Sequence, residues 1–350
     1  MRVVVFGATG NCGTSLVRAL SAEPAVDAVL GVARRLPRLT VPKVEWAAAD
    51  IERDDLRRLV RGADVVVSLA WRIQPSHDVD ALRRTNVEGT TRVMHAVRDE
   101  GVGALVYASS VGTYARGPKD RLVDESWLTS GIPSSFYSRH KAEVERRLDT
   151  FERESPHVRV VRVRPALVFK REAASGVRRL FLGSLVPKPL LRVPLLSLVP
   201  DVPGLRAQGV HADDLADLYR RVVVGDARGA FNAAAEPVLD AKLIATRLGA
   251  RRVPMPPAVL RGAVMATWKA RLQPTPAGWV DMGLGVPLLD STRAREELGW
   301  RPSIDALDAL LEVIEGMRES AGAPTPPLEP MGAGAWDPDT ASEGSREVHA

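Results

Sequence analysis

The chain holds one cysteine, Cys12, in 350 residues. That excludes a disulfide framework and suits a reducing compartment. Long apolar runs are missing as well. The one stretch that could suggest a bilayer span, residues 180–205, is broken by Pro187, Pro189, Pro194, Pro200 and Pro203 and carries Lys188 and Arg192, so nothing approaches the roughly twenty unbroken apolar residues a spanning helix needs. The opening MRVVVFGATG has one basic residue and an apolar run stopped at Gly7, too short for a signal peptide and without a cleavage site. These absences predict a soluble, cytoplasmic protein with no membrane partner. His211, Asp213 and Asp214 have no further His or Cys nearby at ligand spacing. We therefore expect no metal there and read the two aspartates as a helix start, where acids complement the helix dipole.

A large excess of one charge is also missing, with 48 Lys and Arg against 43 Asp and Glu, a net charge of +5. A basic balance raises nucleic acid as a partner, because clustered cations release counterions on binding. Here the arginines, for example Arg57, Arg58, Arg61, Arg146, Arg147, Arg220 and Arg221, are scattered opposite apolar faces with acids nearby. No nucleic-acid motif appears, and none is expected to bind. What the chain does have is 45% hydrophobic and 26% charged residues, enough for a sizeable core.

Short apolar runs alternate with helix-period segments over the first 165 residues: Val3 to Phe6, Ala28 to Val32, Val44 to Ala47, Val65 to Leu69, Ala104 to Ala108 and Val158 to Val163. Each run is nearly continuous, as expected when helices cover both faces of a parallel sheet. The fold class predicted is α/β: a doubly wound parallel sheet of Rossmann type over 1–165, with a smaller C-terminal substrate lobe over 166–317. A late strand near 209–234 rejoins the sheet in this reading. Helices are expected at 212–224, 238–248, 256–271 and 303–317. Residues 318–350, dense in Gly, Pro, Ser and acids, are expected to be disordered.

Gly7-Ala8-Thr9-Gly10-Asn11-Cys12-Gly13 follows the first strand and opens a helix with Leu16, Val17 and Leu20 on one face. The first glycine permits a tight turn, the middle one admits a pyrophosphate to backbone amides, and the last lets helix and strand pack closely. In that context the pattern predicts a dinucleotide site, and Cys12 is read as a small residue packed beside the phosphates. The second strand ends Gly31-Val32-Ala33-Arg34-Arg35. An acid there would bind the adenosine ribose of NAD, whereas two arginines can clamp a 2'-phosphate. NADP is therefore favoured over NAD. Asp50 and Ile51, after the third strand, are expected beside the adenine.

Tyr137, Lys141, Val144, Leu148 and Phe151 share one helical face. The tyrosine and lysine thus turn toward the sheet, where a free ammonium is costly unless something uses it. Asn86 points inward from an earlier helix alongside Val79, Leu82, Val93 and Val97, either as part of a site or as a satisfied amide. Ser109 and Ser110 end the strand of Leu105 to Ala108, at the sheet edge where ligands lie in open parallel sheets. A neighbouring ammonium favours phenolate and brings tyrosine into range as an acid or base. His140, three residues past Tyr137, drifts to the helix edge and is expected to be solvated.

These parts together resemble the extended branch of the short-chain dehydrogenase/reductase superfamily, the NAD-dependent epimerase/dehydratase family, over about residues 1–317. The resemblance rests on GATGNCG, Asp50-Ile51, NVEGT at 86–90, YASSVGTYA at 107–115, YSRHK at 137–141, VRPALVF at 163–169, GVHADDLADL at 209–218 and EELGWRP at 296–302. It implies that Tyr137 is the catalytic acid/base, that Lys141 lowers its pKa and holds the nicotinamide ribose, that Ser110 binds the carbonyl, and that Asn86 supports a proton relay. The implied cofactor-binding set is Gly7, Thr9, Gly10, Asn11, Cys12, Gly13, Arg34, Arg35, Asp50, Ile51, Leu69, Ala70, Tyr137, Lys141 and Pro165, and a homodimer is possible. Two departures from the sugar-nucleotide members stand out: Leu167 replaces an asparagine three residues after Arg164, and Ala33 replaces the acid after the second strand.

The function expected is reversible hydride transfer between a nicotinamide and a carbonyl or hydroxyl of a small, partly apolar substrate. Two alternatives stay open, a nucleotide-sugar epimerase or dehydratase with retained NAD, and a non-catalytic NADP-binding regulator. Phe181, Leu182, Leu185, Leu190, Leu191, Leu195 and Leu196 make the first lobe segment apolar, either for substrate or for the lobe's own core or a subunit contact. Trp268, Trp279 and Met282 are read as core filling.

Overall fold

The computed structural model of the chain describes residues 1–74, 76–182 and 198–330. The expected apolar stretch from Leu185 to Leu196 and the tail beyond residue 330 lie outside the described residues.

Along the chain come β1 (Arg2–Phe6), α1 (Asn11–Ala22), β2 (Ala28–Ala33), β3 (Val44–Ala48), α2 (Arg57–Val60), β4 (Val65–Ser68), α3 (Val79–Arg83), a π-helical turn (Arg84–Gly89), α4 (Thr90–Asp99) and β5 (Ala104–Ala108). There follow β6 (Leu122–Val123), α5 (Phe136–Glu154), β7 (Arg159–Pro165), β8 (Leu167–Phe169), α6 (Ala174–Val177) and a second π-helical turn (Arg178–Leu182). The rest comprises β9 (Leu198–Asp201), β10 (Ala207–His211), α7 (Ala212–Val224), β11 (Gly229–Ala233), β12 (Ala235–Leu239), α8 (Ala241–Leu248) and β13 (Arg251–Pro254). After these come α9 (Pro257–Lys269), α10 (Gly278–Gly285), β14 (Leu288–Leu289), α11 (Thr292–Leu298) and α12 (Ala306–Glu319).

Seven strands form one parallel sheet in the order β11-β7-β5-β4-β1-β2-β3. This is the doubly wound α/β architecture expected from the alternating runs. The reason is visible in β1. Val3 and Val5 point into a core shared with Leu16 and Leu20 of α1 and Leu215 and Leu218 of α7. Val4 and Phe6 point the other way, toward Val93 and Val97 of α4 and Val144 and Leu148 of α5. All four are fully buried, each contributing ~1.5–3 kcal/mol, so both faces demand apolar residues and alternation disappears. The chain order reverses between β1 and β4, and the crevice outside their carboxyl ends is where such sheets take ligands.

The remaining strands make small sheets at that end: β12-β10-β8, β13-β9 and β14-β6. Residues 320–330, expected to be disordered, are instead packed. Ala323 and Leu328 are buried with Ala173 and Val177, Ser175 donates to the Ala321 carbonyl, Arg179 to those of Pro327 and Glu329, and the Arg38 amide to that of Pro324. Two apolar side chains and four hydrogen bonds outweigh the proline and glycine content of this stretch.

Candidate active site

The loop after β1 is built so that nothing but glycine fits at two places. Gly7 has a φ of 80°, and a Cβ there would lie 2.7 Å from the Ala70 nitrogen; a Cβ on Gly13 would lie 2.3 Å from the Gly7 carbonyl oxygen. The first brings the loop against Leu69 and Ala70 at the end of β4, and the second seats α1 on β1. Gly10 caps α1 without a side-chain hydrogen bond, and no acid occupies the first turn. That helix end is therefore open to an anion. Lys170, buried after β8, donates to Thr14 at 2.9 Å and Ser15 at 3.0 Å in the same turn. Asn11 donates to the Val168 carbonyl, tying the loop to β8. The Cys12 thiol is pushed up to about 11 by burial, which makes it a packing group rather than a nucleophile.

Arg34 and Arg35 follow β2 and are exposed. Partial burial and then the charge of Arg72 push the Arg34 guanidinium down, with Asp50 and Glu52 opposing. Three cations thus share the edge outside β2. Asp50 accepts the Glu52 amide at 2.9 Å, while Ile51 is buried against Gly89. Thr9 is buried, and Pro165 closes β7 opposite Ala233.

Tyr137, Ser110 and Lys141 come together at the carboxyl end of β5. The Tyr137 ring lies over Gly112, where a Cβ would be 2.9 Å from Cε1. Burial pushes the phenol up to about 12, and the adjacent Ser110 hydroxyl draws it back. Ser110 also accepts the Gly112 amide at 3.0 Å. Lys141 is 3% exposed. Its ammonium donates to the Ala108 carbonyl at 2.6 Å and sits 3.6 Å from the centre of the Trp71 ring, against 5.9 Å from that of Tyr137. Burial pushes it down to about 7, partly offset by Glu145. The expected lowering of the phenol by Lys141 is not found: the ammonium is held by Ala108 and Trp71, and the groups that act on Tyr137 are the low-polarity surroundings, Ser110 and Cys12.

Asn86 is buried on the π-helical turn, a distortion that recurs at functional sites. Its amide clamps the backbone of Arg72, accepting the N–H at 2.7 Å and donating to the carbonyl at 2.8 Å. Both ends of the amide are thereby used in holding the loop that carries Trp71. His140, expected to be solvated, is instead 5% exposed and edge-on to Phe136, and burial pushes it down to about 4. His211 accepts the Asp213 amide, and Asp214 accepts the backbone amides of Ser303 and Ile304. Met282 is buried with Ile132 and Val286. Trp279 stands 4.9 Å from the Tyr137 ring and 5.0 Å from Phe181, and Trp268 stacks on His77 at 4.3 Å.

Three neighbours of this cluster escaped the sequence reading. Glu145, four residues beyond Lys141, is buried, receives Arg164 through two bonds of 2.9 and 3.0 Å, and accepts Ser109 at 2.5 Å. Burial would raise its carboxyl; Arg164, Arg162 and Ser109 outweigh that and hold it low. The spacing 137, 141, 145 was available as a signal, masked by Val144 on the same stripe. Trp71 and Arg72 lie in a loop, where no period exists to find them.

The sequence profile of the NAD-dependent epimerase/dehydratase family matches residues 3–234, and the chain belongs to that family. Among curated proteins it is 27% identical over 325 residues to an uncharacterised protein of Mycobacterium tuberculosis, covering 92% of this chain and 31% of that protein. The chain thus spans about a third of that relative's length. It is also 27% identical to a UDP-glucose 4-epimerase of Mycolicibacterium smegmatis, covering 92% of this chain and 100% of that one. Of solved structures, it is similar to the dTDP-glucose 4,6-dehydratase DesIV of Streptomyces venezuelae with NAD and TYD bound, with a TM-score of 0.66 and 23% identity over 91% and 97% of the two chains. It is similar as well to the Thermus thermophilus UDP-glucose 4-epimerase complex with NAD, with a TM-score of 0.66 and 20% identity over 92% and 100%. At these identities the likeness is one of fold. Among the described residues, no helix is long and apolar enough to cross a membrane.

Proposed function

We propose that this chain is an NAD(P)-dependent oxidoreductase that moves a hydride reversibly between a nicotinamide and a carbonyl or hydroxyl carbon of a small, partly apolar substrate. The observation that carries this reading is the meeting of Tyr137, Ser110 and Lys141 at the sheet edge, next to a glycine turn that leaves the end of α1 open. The amides of Asn11, Cys12 and Gly13 would hold the pyrophosphate, and Arg34 and Arg35 a 2'-phosphate, which favours NADP. A bound reduced nicotinamide supplies the hydride.

In the reductive direction Tyr137 donates its phenolic proton to the carbonyl oxygen. A phenol raised to about 12 is protonated at neutral pH and ready to give that proton. Ser110 donates a hydrogen bond to the same oxygen as negative charge develops on it. Lys141 would bind the ribose hydroxyls of the nicotinamide half, and Asn86 keeps Trp71 over Lys141 by fixing Arg72. Trp71 and Trp279 flank the phenol, and Phe181 packs on Trp279, an apolar wall that supports a partly apolar substrate.

A second reading, conversion of a nucleotide sugar with retained NAD, draws support from the match along the whole Mycolicibacterium epimerase. A panel of carbonyls and alcohols assayed with NADPH, NADH and their oxidised forms separates the two. We expect net oxidation of NADPH, tighter binding of NADPH than NADH, and purified protein free of nucleotide. NAD that stays bound through purification, together with sugar-nucleotide conversion without net redox change, would overturn the proposal.

A further inference from the structure

The scatter of cations expected from the sequence breaks down in one place. Residues 241–280 hold seven Lys and Arg and no Asp or Glu, so this stretch alone carries +7 against +5 for the whole chain. It builds α8, β13, α9 and the start of α10. In the two-stranded ribbon, Leu198 pairs with Arg251 and Pro200 with Val253. Paired residues of parallel strands share a face, and all four are exposed, Leu198 at 53% and Val253 at 37%.

Helix α9 follows two residues later and buries none of its thirteen residues. Its exposed positions include Val259 at 58%, Gly262, Ala263 and Ala266, and a Cβ on Gly262 would meet nothing within 4 Å. Leu272, just beyond it, is 55% exposed. A solvent-facing helix side normally carries charge; this one is apolar and edged by cations. Arg252 and Arg261 are paired with Asp201 and Asp281. Arg251, Lys269 and Arg271 have no ion pair among the described residues.

We infer that this face of the lobe, β9-β13 with α9 and Leu272, docks on an anionic lipid surface. Apolar side chains that enter the interface, flanked by unpaired cations, are what such a surface recognises. Nucleic acid would use the cations but leave Leu198, Val253, Val259 and Leu272 in water. A second copy of this chain would set like charges against each other. The lack of a spanning helix bears on crossing a bilayer, not on lying against one.

The test uses the full chain and vesicles of neutral phosphatidylcholine, with and without anionic phosphatidylglycerol, followed by co-sedimentation. Binding to the anionic vesicles, falling with added salt and at least about tenfold weaker to neutral ones, is expected. Reversing Arg251→Glu, Lys269→Glu and Arg271→Glu together should weaken it by about a hundredfold. Val259→Asp with Leu272→Asp should also release the protein, while thermal unfolding and dinucleotide affinity stay as in wild type. No binding to anionic vesicles, equal binding to neutral ones, or variants that bind like wild type would each refute the inference. So would self-association abolished by Val259→Asp, or tight nucleic-acid binding indifferent to it. None of these outcomes depends on the hydride-transfer reading.

Discussion

Lys141 holds its charge against its surroundings. It is buried beneath Trp71, with a carbonyl as its shortest contact, and burial lowers it from 10.5 to about 7. Unfolded, the same group keeps its ordinary value. Between about pH 7 and 10.5 the folded protein therefore binds fewer protons here than the unfolded chain, and wild-type stability gains with rising pH through that window. Below about 7 both states are protonated and the full penalty stands. In Lys141→Met this linkage is gone, so the stability difference between the two proteins should shift toward wild type as pH rises. Urea unfolding of both at about pH 7 and about pH 9 measures it. A difference that does not move would mean the ammonium is not buried as described.

At the scale of elements, the π-helical turn and the loop after β4 act as one unit. The Asn86 side chain pairs both backbone polar groups of Arg72, and Gln74 and Ser76 further along the loop reach the Pro274 carbonyl. Asn86→Leu leaves an amide and a carbonyl without those partners, which should cost ~1–3 kcal/mol of stability. Denaturant unfolding reads the loss, and turnover should fall with it as Trp71 leaves Lys141. Stability and turnover equal to wild type would show that the clamp holds nothing.

Whole elements were legible where geometry imposes a period. Val3 to Phe6 announced a strand because both its faces are covered, and the stripe from Tyr137 to Phe151 announced α5 because it lies on the sheet. Gly7 and Gly13 were readable because only backbone fits beside them. Strands β8, β9, β12 and β13 were not, since each spans only three to five residues, too few for a pattern to build up. The Lys141 ammonium was expected to act on Tyr137 from their spacing on one helix and from the family resemblance. Spacing placed both on one helix face but carried no information about Trp71 or the Ala108 carbonyl, which come from the loop after β4 and the end of β5.

In the whole molecule, the crevice at the β1–β4 switch, the proposed dinucleotide site, lies beside the phenol at the end of β5, while β9-β13 and α9 present an apolar, basic face. The central claim is that Tyr137 passes the proton while the rest of the chain holds the cofactor. The most direct measurement compares wild type with Tyr137→Phe in one preparation, titrating NADPH by fluorescence and then following its oxidation by a carbonyl substrate. The account predicts NADPH affinity largely intact and turnover lowered by a factor on the order of a hundred or more. Turnover equal to wild type in a variant that binds NADPH normally would contradict it.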